Sequence, residues 1–245
     1  MRKSKFLELT KKYQILKKFY YFYNIYIRNK KFLKNGSQFG EDKYLFSLFK
    51  KNYIGKYLDV GCFHPTKHNN TSIFYKNGWS GLNIDLNPLT IELFNFMRPN
   101  DININVGVSS EEGEKTLFFF DETNTQNTFS KNQLAFLKDH HNLKDEQIIK
   151  KKTQTKRLDI ILHEHNFHEI DFMNLDIEGH ELEVIKTIDF KKTKIKYICV
   201  EMINHNELSV ENSGQIKNLL KENNFDLIKK FDFNYIFKKR DFRDI

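Results

Sequence analysis

The stretch YLDVGCFHP, residues 57–65, decides how the fold of this chain is predicted. Apolar residues run into Asp59 and Gly61, as in a buried strand that turns at a ligand. A dinucleotide-binding turn carries three glycines, so that backbone amides can surround a pyrophosphate. This turn has the single glycine Gly61, and Pro65 has no amide hydrogen to donate. The stretch therefore predicts a ligand site without a pyrophosphate.

The pattern around this stretch predicts an α/β fold with a doubly wound, mostly parallel sheet, because short apolar segments alternate with helix-like segments from residue 53 onward. We expect a C-terminal antiparallel hairpin, because only two residues separate its strands. The predicted strands are 57–60, 81–85, 102–108, 115–120, 171–176 and 197–202, followed by the hairpin strands 225–231 and 234–239. The predicted helices are 41–51, 68–77, 90–97, 131–140, 157–166, 179–188 and 210–223. The polar, lysine-rich stretch 121–156 is expected to be an insertion or a mobile segment.

The positive charge of the chain is concentrated at its N-terminus. Residues 1–36 contain 11 Lys or Arg and one acid, Glu8, whereas residues 37–245 contain 29 basic and 31 acidic residues. We therefore divide the chain into a basic, aromatic helical extension, 1–36, and a globular domain, 37–245. Apolar residues at helical spacing, among them Leu9, Tyr13 and Leu16, predict that the extension is a helix. The helix is expected to dock on the domain, to make a peripheral contact with an anionic membrane, or to act as an RNA-binding arm.

The remaining composition predicts a cytoplasmic protein, located in the cytosol or at the inner face of the membrane. The two cysteines, Cys62 and Cys199, form no spaced framework, and the apolar run in the extension is too short to span a bilayer. The extension also lacks the cleavage site of a signal peptide. Because the globular part is not basic, nucleic acid is not the expected partner.

Three acidic residues stand at the ends of predicted strands: Asp59, Asp85 and Asp176. Ligands of open α/β sheets bind at the carboxyl ends of the strands. Gly61 allows the backbone to approach a ligand, Asp59 can face a cationic amino group, and Asp85 can accept hydrogen bonds from two ribose hydroxyls. These demands match S-adenosylmethionine, a nucleoside cofactor without phosphates.

The sequence also resembles the FkbM family of S-adenosylmethionine-dependent methyltransferases. Four segments carry the resemblance in the family's order: SQFGEDKYLFSLF, YLDVGCFHP, NNTSIFYKNGWSGLNIDLNP and MNLDIEGHE, within residues 37–205. The resemblance implies a class I, Rossmann-like methyltransferase fold and methyl transfer to a hydroxyl, commonly of a sugar. Residues 1–36 and 121–156 match no part of the family pattern.

The resemblance also implies roles for particular residues. Asp59, Gly61 and Asp85 match the cofactor pocket, and Gln38 and Asp42 match an entry segment that covers the cofactor. The resemblance places Asp176, Glu178 and His180 in the motif that faces the point of methyl transfer. His64 is interpreted either as a turn residue or as a substrate contact or base.

Transfer of a methyl group to an alcohol needs a base or a metal ion near the acceptor oxygen. Asp176 and Glu178 can serve either purpose, with His180, His64 or Glu201 nearby. If a metal is present, we expect magnesium or manganese on Asp176, Glu178 and Glu201, since oxygen ligands favour these ions. Base catalysis is preferred at this point, because spacing alone fixes no third carboxylate at the site.

The leading hypothesis is therefore an S-adenosylmethionine-dependent O-methyltransferase that acts on a sugar. The acceptor would be a nucleotide-sugar or a surface polysaccharide, such as capsule or lipopolysaccharide. One alternative, motivated by the basic extension, is an RNA methyltransferase, whose RNA affinity would fall steeply with salt. A second alternative is a catalytically silent binding module tethered to a membrane.

Overall fold

A seven-stranded sheet is the centre of the fold in the computed structural model, which describes residues 14–121, 126–141, 144, 146, 148–202 and 206–241. Along the chain, the strands are β1 (Lys56–Val60), β2 (Ser80–Asp85), β3 (Ile102–Asn105), β4 (Gly107–Val108), β5 (Gly113–Phe119), β6 (Ile149–Lys156), β7 (Glu169–Leu175), β8 (Lys194–Glu201), β9 (Phe225–Phe231) and β10 (Asn234–Lys239). The sheet order is β3-β2-β1-β7-β8-β10-β9. Strands β3, β2, β1, β7 and β8 are parallel to one another, and β10 is antiparallel to both of its neighbours, β8 and β9. This topology confirms the predicted doubly wound sheet with a C-terminal hairpin.

The helices flank this sheet and connect its strands. They are α1 (Gln14–Phe22), α2 (Glu41–Ser47), α3 (Ser72–Lys76), α4 (Pro88–Met97), α5 (Lys131–His141), α6 (Leu158–Glu164), α7 (Glu181–Ile185) and α8 (Glu207–Glu222). A π-helical turn, Tyr23–Arg28, continues α1, and a 3-10 turn, Lys30–Leu33, follows it. None of the described helices is long and apolar enough to cross a membrane.

Local sequence signals explain where two of the helices begin. Asn87 caps α4, since its side chain accepts a hydrogen bond from the Leu89 amide at 3.0 Å, and Pro88 occupies the first helical position. Asn206 and Ser209 form a reciprocal capping box at the start of α8. By contrast, the helix predicted at 68–77 is shortened to Ser72–Lys76, because the preceding residues form a loop whose polar side chains bond to the domain interior.

The structure corrects the prediction for the middle of the chain. The strand predicted at 102–108 is divided between β3 in the main sheet and β4 in a separate three-stranded sheet, ordered β4-β6-β5. The strand predicted at 115–120 corresponds to β5 and belongs to this small sheet. The stretch 121–156 contains α5 and β6, while residues 122–125, 142, 143, 145 and 147 lie outside the described residues. Strand β6 reads IKKKTQTK and is largely exposed, so it lacks the apolar alternation that predicts a strand.

Apolar side chains cover both faces of the main sheet, as a doubly wound fold requires. One face of β1 places Leu58 and Val60 in the larger aliphatic core. The opposite face places Tyr57 in an aromatic core with Phe74 and Trp79. Trp79 is buried, and its indole nitrogen donates to the Tyr53 carbonyl at 2.9 Å. The sheet therefore forms a rigid platform beneath the loops that follow its strands.

The described part of the N-terminal extension packs on this platform. Tyr21 and Ile25 are buried against Leu93 of α4, and the Lys17 ammonium lies 2.5 Å from the Glu92 carboxylate. The Tyr21 hydroxyl donates to the same carboxylate. The helix predicted from the spacing of Leu9 and Tyr13 begins outside the described residues, which start at residue 14. Docking on α4 fixes which face of α1 points away from the domain.

A fully buried arginine organises the loop between β1 and α3. Arg98 follows α4, and its guanidinium donates to the Thr71 hydroxyl at 2.8 Å, the Asn69 side-chain oxygen at 2.8 Å and the Pro65 carbonyl at 2.6 Å. It also lies 4.7 Å from the centre of the Phe94 ring. A buried guanidinium requires such partners, because it cannot lose its charge. Arg98 therefore holds residues 65–71 in one conformation.

We expect Arg98→Met to lower the free energy of unfolding by at least ~2 kcal/mol, because the substitution leaves several buried polar groups without their donor. Urea denaturation followed by circular dichroism measures this loss. Arg240→Met is the matched control, since Arg240 pairs with Asp226 on the surface and its loss should change stability little. Equal effects of the two substitutions would contradict the role assigned to Arg98.

Candidate functional site

A cavity of about 300 Å³ opens at the carboxyl ends of β1, β2 and β7. The order of the sheet reverses between β1 and β7, which is where open α/β sheets bind ligands. Six carboxylates line the cavity, at Glu41, Asp59, Asp85, Asp176, Glu178 and Glu201. Lys67 is the one lysine among the lining residues, so the cavity favours a ligand that carries positive charge.

Gly61 forms the floor of the turn after β1. Its φ of +80° lies in the left-handed region, and a Cβ atom at this position would be 1.7 Å from the Asp176 carbonyl oxygen. Only glycine satisfies both the backbone angle and this close approach. The glycine in the opening sequence stretch therefore allows the end of β1 to lie directly against the end of β7.

The Asp59 carboxylate is completely buried and accepts three side-chain hydrogen bonds. Asn174 donates to Oδ1 at 3.0 Å, while Asn69 and Thr71 donate to Oδ2 at 2.9 and 2.7 Å. Burial raises the pKa of Asp59, and the donors oppose this effect. Because a carboxylate has about four acceptor positions, little capacity remains for a ligand. Asp59 thus ties β1, the loop and β7 together at the cavity wall.

Asp85 closes β2 and keeps acceptor capacity toward the cavity. Its Oδ2 accepts from the Phe63 amide at 2.9 Å, and its Oδ1 accepts from the Asn87 amide at 2.7 Å. Each oxygen retains a second lone pair, so the carboxylate can accept two further hydrogen bonds. Burial raises the pKa of Asp85 to about 6, partly offset by these two amides.

Three further carboxylates converge at the ends of β7 and β8. Asp176, Glu178 and Glu201 each place one oxygen so that these three oxygens lie within 4.8 Å of one another. Glu178 has a φ of +57°, and its carbonyl accepts from the Thr128 hydroxyl at 2.8 Å, which fixes the turn. The Oε2 atom of Glu201 is buried and has no hydrogen-bond partner among the described residues.

Burial and mutual repulsion raise the pKa values in this cluster. The pKa of Asp176 rises to about 6, mainly through burial, although an interaction with Glu201 opposes the rise. Burial together with the neighbouring negative charges raises the pKa of Glu178 and of Glu201 well above the usual range. Three adjacent carboxylates cannot all remain ionised without a proton or a cation between them. The cluster can therefore accept a proton or hold a divalent ion.

His180 and Glu181, which lie shortly after Glu178 in the chain, have different surroundings. The Nε2 atom of His180 lies 3.2 Å from the Ser109 hydroxyl, and His180 lines the cavity. Burial and the charge of Lys115 lower the pKa of His180. Glu181 accepts from the Ile177 and Gly179 amides at 2.9 and 3.1 Å and thereby closes the turn before α7.

The structure brings most of the predicted site residues to one cavity. Gln38, Asp59, Gly61, Asp85, Asp176, Glu178, His180 and Glu201 all line it. Gln38 lies at its exposed rim, where its side-chain nitrogen is 2.9 Å from His68 Nδ1. The functional roles of these residues remain predictions.

Two predicted site residues lie elsewhere. His64 is buried, and its Nδ1 accepts from the Thr66 and Lys67 amides at 3.1 and 3.0 Å while its Nε2 faces Asn24 Oδ1 at 2.9 Å. Burial, supported by nearby cations, lowers its pKa to about 3. Both ring nitrogens are occupied away from the cavity, so we correct the interpretation of His64 as a base to that of a turn residue. Asp42 binds the Ser37 hydroxyl at 2.5 Å and does not line the cavity.

Sequence reasoning missed Glu41, Asn174 and Arg98. Glu41 takes the position expected of Asp42, because Asn234 of β10 donates to its carboxylate at 2.8 Å. Asn174 is a polar residue within the buried strand β7, an exception that signals a polar contact. Nothing in the local sequence around Arg98 indicates that its partners lie about 30 residues earlier.

The residues of the cavity fit S-adenosylmethionine in two respects. Asp85 offers two free acceptor positions, the number needed for a ribose diol. The cofactor carries a sulfonium and an ammonium, which the excess of carboxylates favours. The carboxylate cluster likewise fits magnesium or manganese, which prefer oxygen ligands, and the buried oxygen of Glu201 lacks any other partner among the described residues.

Comparison with known families supports the fit of the cavity to S-adenosylmethionine. A family model described as the methyltransferase FkbM domain matches residues 59–227, which is more than half of the chain. The match begins at Asp59 and includes Gly61, Asp85 and the cluster from Asp176 to Glu201. No curated protein sequence matches the chain.

We expect Gly61→Ala to destabilise the protein by at least ~2 kcal/mol more than Gly40→Ala. Gly40 is the matched control because its φ is +90° and a Cβ atom there would have no neighbour within 4 Å. Gly40→Ala therefore reports the backbone penalty alone, about 1 kcal/mol. Urea denaturation of both variants checks the difference, and equal losses would show that Gly61 is needed only for its backbone angle.

The raised pKa of Asp176 predicts a pH dependence of stability. Because the folded protein binds this proton more tightly than the unfolded chain, the associated stability is present below about pH 4 and lost as the pH rises through about 6. Asp176→Asn removes this loss, so the variant should exceed the native protein in stability by about 1–3 kcal/mol near pH 7.5 and show no such gain near pH 4. Urea denaturation in EDTA at both pH values measures the difference. The control, Asp189→Asn, should not gain stability with pH, because the exposed Asp189 has a lowered pKa.

Proposed function

The chain belongs to the FkbM methyltransferase family, and we propose that it transfers the methyl group of S-adenosylmethionine to a hydroxyl oxygen of a sugar. The acceptor is a nucleotide-sugar or a surface polysaccharide such as capsule or lipopolysaccharide. The observation that carries this proposal is the carboxylate cluster of Asp176, Glu178 and Glu201, which shares one cavity with Gly61 and Asp85. A site for a cationic nucleoside and a site for proton removal are thus adjacent.

The cofactor supplies an activated methyl group when it is bound. Asp85 would accept hydrogen bonds from its ribose hydroxyls, and Gly61 keeps the end of β1 against the end of β7 at the cavity floor. The cavity carboxylates balance the positive charges of the sulfonium and the ammonium. These residues hold the cofactor in one orientation, which matters because methyl transfer requires the acceptor oxygen, the carbon and the sulfur to lie in line.

The acceptor hydroxyl must lose its proton as the new carbon–oxygen bond forms. One carboxylate of the cluster receives this proton while the carbon–sulfur bond breaks, which leaves a methyl ether and a neutral thioether. The raised pKa values of Asp176 and Glu178 suit this step, because a base works best when its pKa is near the working pH. Alternatively, the same three residues would hold magnesium or manganese, which would lower the pKa of the hydroxyl. The sequence favours base catalysis because spacing alone fixes no third carboxylate at the site. Glu201 is that third carboxylate, so an experiment is needed to separate the two routes.

The charge distribution favours a sugar acceptor over RNA. The cavity carries six carboxylates, which would repel the phosphates of an RNA backbone but not a neutral sugar hydroxyl. The excess of basic over acidic residues lies in the N-terminal extension. A silent binding module would need neither the two free acceptor positions on Asp85 nor three converging carboxylates. We place the reaction in the cytoplasm or at the inner face of the membrane, where nucleotide-sugars are available as acceptors.

We expect purified protein to transfer labelled methyl from S-adenosylmethionine to a sugar acceptor, and Asp176→Asn to lower turnover at least ~10²-fold while the cofactor still binds. Radiometric transfer to a panel of nucleotide-sugars and glycans measures turnover, and calorimetry measures cofactor binding. Asp189→Asn, at a residue that does not line the cavity, is the matched control and should retain turnover. Loss of the protein from its cell should remove one methyl unit from the surface glycan by mass spectrometry. An unchanged glycan and inactivity on every sugar tested would contradict the proposed acceptor.

EDTA separates the two routes of proton removal. If a cation is required, EDTA abolishes turnover and added magnesium or manganese restores it. If a carboxylate acts alone, EDTA has little effect and turnover rises with pH through a single pKa. A fully active Asp176→Asn variant would exclude both routes at this residue.

A further inference from the structure

The N-terminal helix presents an unusually apolar surface away from the domain. Of the large apolar residues that are exposed in the described chain, half lie between residues 15 and 27. Ile15 is 72% exposed, Phe19 is 67% exposed and Ile27 is 53% exposed. The outer face, as we name this surface, consists of Ile15, Leu16, Phe19, Phe22, Tyr23, Tyr26 and Ile27. A contiguous apolar surface of this kind is a mark of an interaction site.

The opposite side of the same helix is held on the domain, so the outer face cannot turn inward. Tyr21 and Ile25 are buried, and Asn24 contacts His64 at 2.9 Å. On the outer face, the rings of Phe22 and Tyr26 pack together at 5.1 Å. The helix therefore has two apolar faces, of which only one is covered by this chain.

The charges around the outer face are of one sign. Residues 14–36 contain no Asp or Glu, whereas Lys18, Arg28, Lys30, Lys31 and Lys34 are all exposed. Burial, together with the nearby charges of Arg28 and Lys31, lowers the pKa of Lys67. None of the described carboxylates pairs with Arg28, Lys31 or Lys67. An occupant of the outer face must therefore be apolar at its centre and negatively charged around it.

We propose that the outer face of this helix docks the protein on a bilayer surface that carries anionic lipid headgroups. Aromatic side chains partition into the headgroup region, and flanking lysines add about 1 kcal/mol each near an anionic surface. The helix lies on the bilayer and does not span it, in keeping with its length. A second copy of the chain fits less well, because pairing two outer faces would bring two sets of unpaired cations together.

The docking surface adjoins the cavity of the site. Phe63 and Lys67 line that cavity, and they also line a smaller one of about 80 Å³ beneath Asn24, Arg28 and Asn29. The loop after β1 is thus the shared wall between the membrane-facing helix and the cavity. Docking would hold the cavity near the bilayer.

Cosedimentation of the full-length protein with vesicles tests the proposal. We expect binding to vesicles of phosphatidylcholine with phosphatidylglycerol, and at least ~10-fold weaker partition to phosphatidylcholine alone. The variant Phe19→Gln/Phe22→Gln/Ile27→Gln should reduce partition to anionic vesicles at least ~10-fold. Its matched control, Ile54→Gln/Ile149→Gln/Phe233→Gln, alters exposed apolar residues elsewhere and should bind as the native protein does. Lys30→Gln/Lys31→Gln should reduce the preference for anionic vesicles.

Circular dichroism and sedimentation velocity of the same variants complete the test. Native helicity in the outer-face variant shows that weaker binding does not result from unfolding. Native binding by that variant, or equal binding to both vesicle types, would overturn the proposal. A different result would assign the outer face to a second copy of the chain. In that case the native protein would not bind vesicles and would sediment as a dimer, and the outer-face variant would sediment as a monomer. The test reads binding alone, so its outcome is independent of the proposed methyl transfer.

Discussion

The buried carboxylate of Asp59 is the constraint on which the rest of the site depends. It is completely enclosed, and its charge is tolerated because Asn69, Thr71 and Asn174 direct hydrogen-bond donors at it. Arg98 holds two of these donors from behind. The network therefore joins the end of β1 to the loop that follows it and to β7. These bonds hold the loop in the conformation that leaves the cavity open beside Gly61.

The cavity next to this network concentrates buried carboxylates whose negative charges destabilise the protein when no ligand is bound. Asp85, Asp176, Glu178 and Glu201 all have raised pKa values, so their ionisation opposes folding at neutral pH. Such destabilisation is typical of functional sites, where ligand binding offsets it. A cationic cofactor or a divalent ion would relieve the repulsion. The cost in stability and the affinity for a positive ligand thus have one origin.

The sequence predicted those strands and helices that show a regular spacing of apolar residues or an acidic residue or glycine at a strand end. Residues 57–60 and 81–85 have apolar runs that end in acidic or small residues, so both the strands and the placement of Asp59, Gly61 and Asp85 followed directly. Strand β6 could not be found, because its lysine-rich sequence is exposed and pairs mainly through the backbone. The sequence suggested Glu201 as a nearby catalytic group or a metal ligand but could not fix its position, since its approach to Asp176 depends on the pairing of β7 with β8. The partners of Arg98 depend on tertiary structure in the same way.

His64 shows how a residue next to a site can have a structural role without lining the cavity. A histidine after a strand-end glycine suggests a base, yet its ring is oriented by the Thr66 and Lys67 amides and directed toward Asn24. With Nδ1 accepting from both amides, the hydrogen resides on Nε2 and is donated to the Asn24 side-chain oxygen. Burial, supported by the nearby charges of Lys67 and Arg98, lowers the pKa of His64 to about 3, so the ring is neutral near pH 7. The histidine therefore acts as a neutral link between the N-terminal helix and the loop of the cavity. Because Lys67 also lines the cavity, His64 joins the N-terminal helix to the cavity wall through the Asn24 side chain and the Lys67 amide.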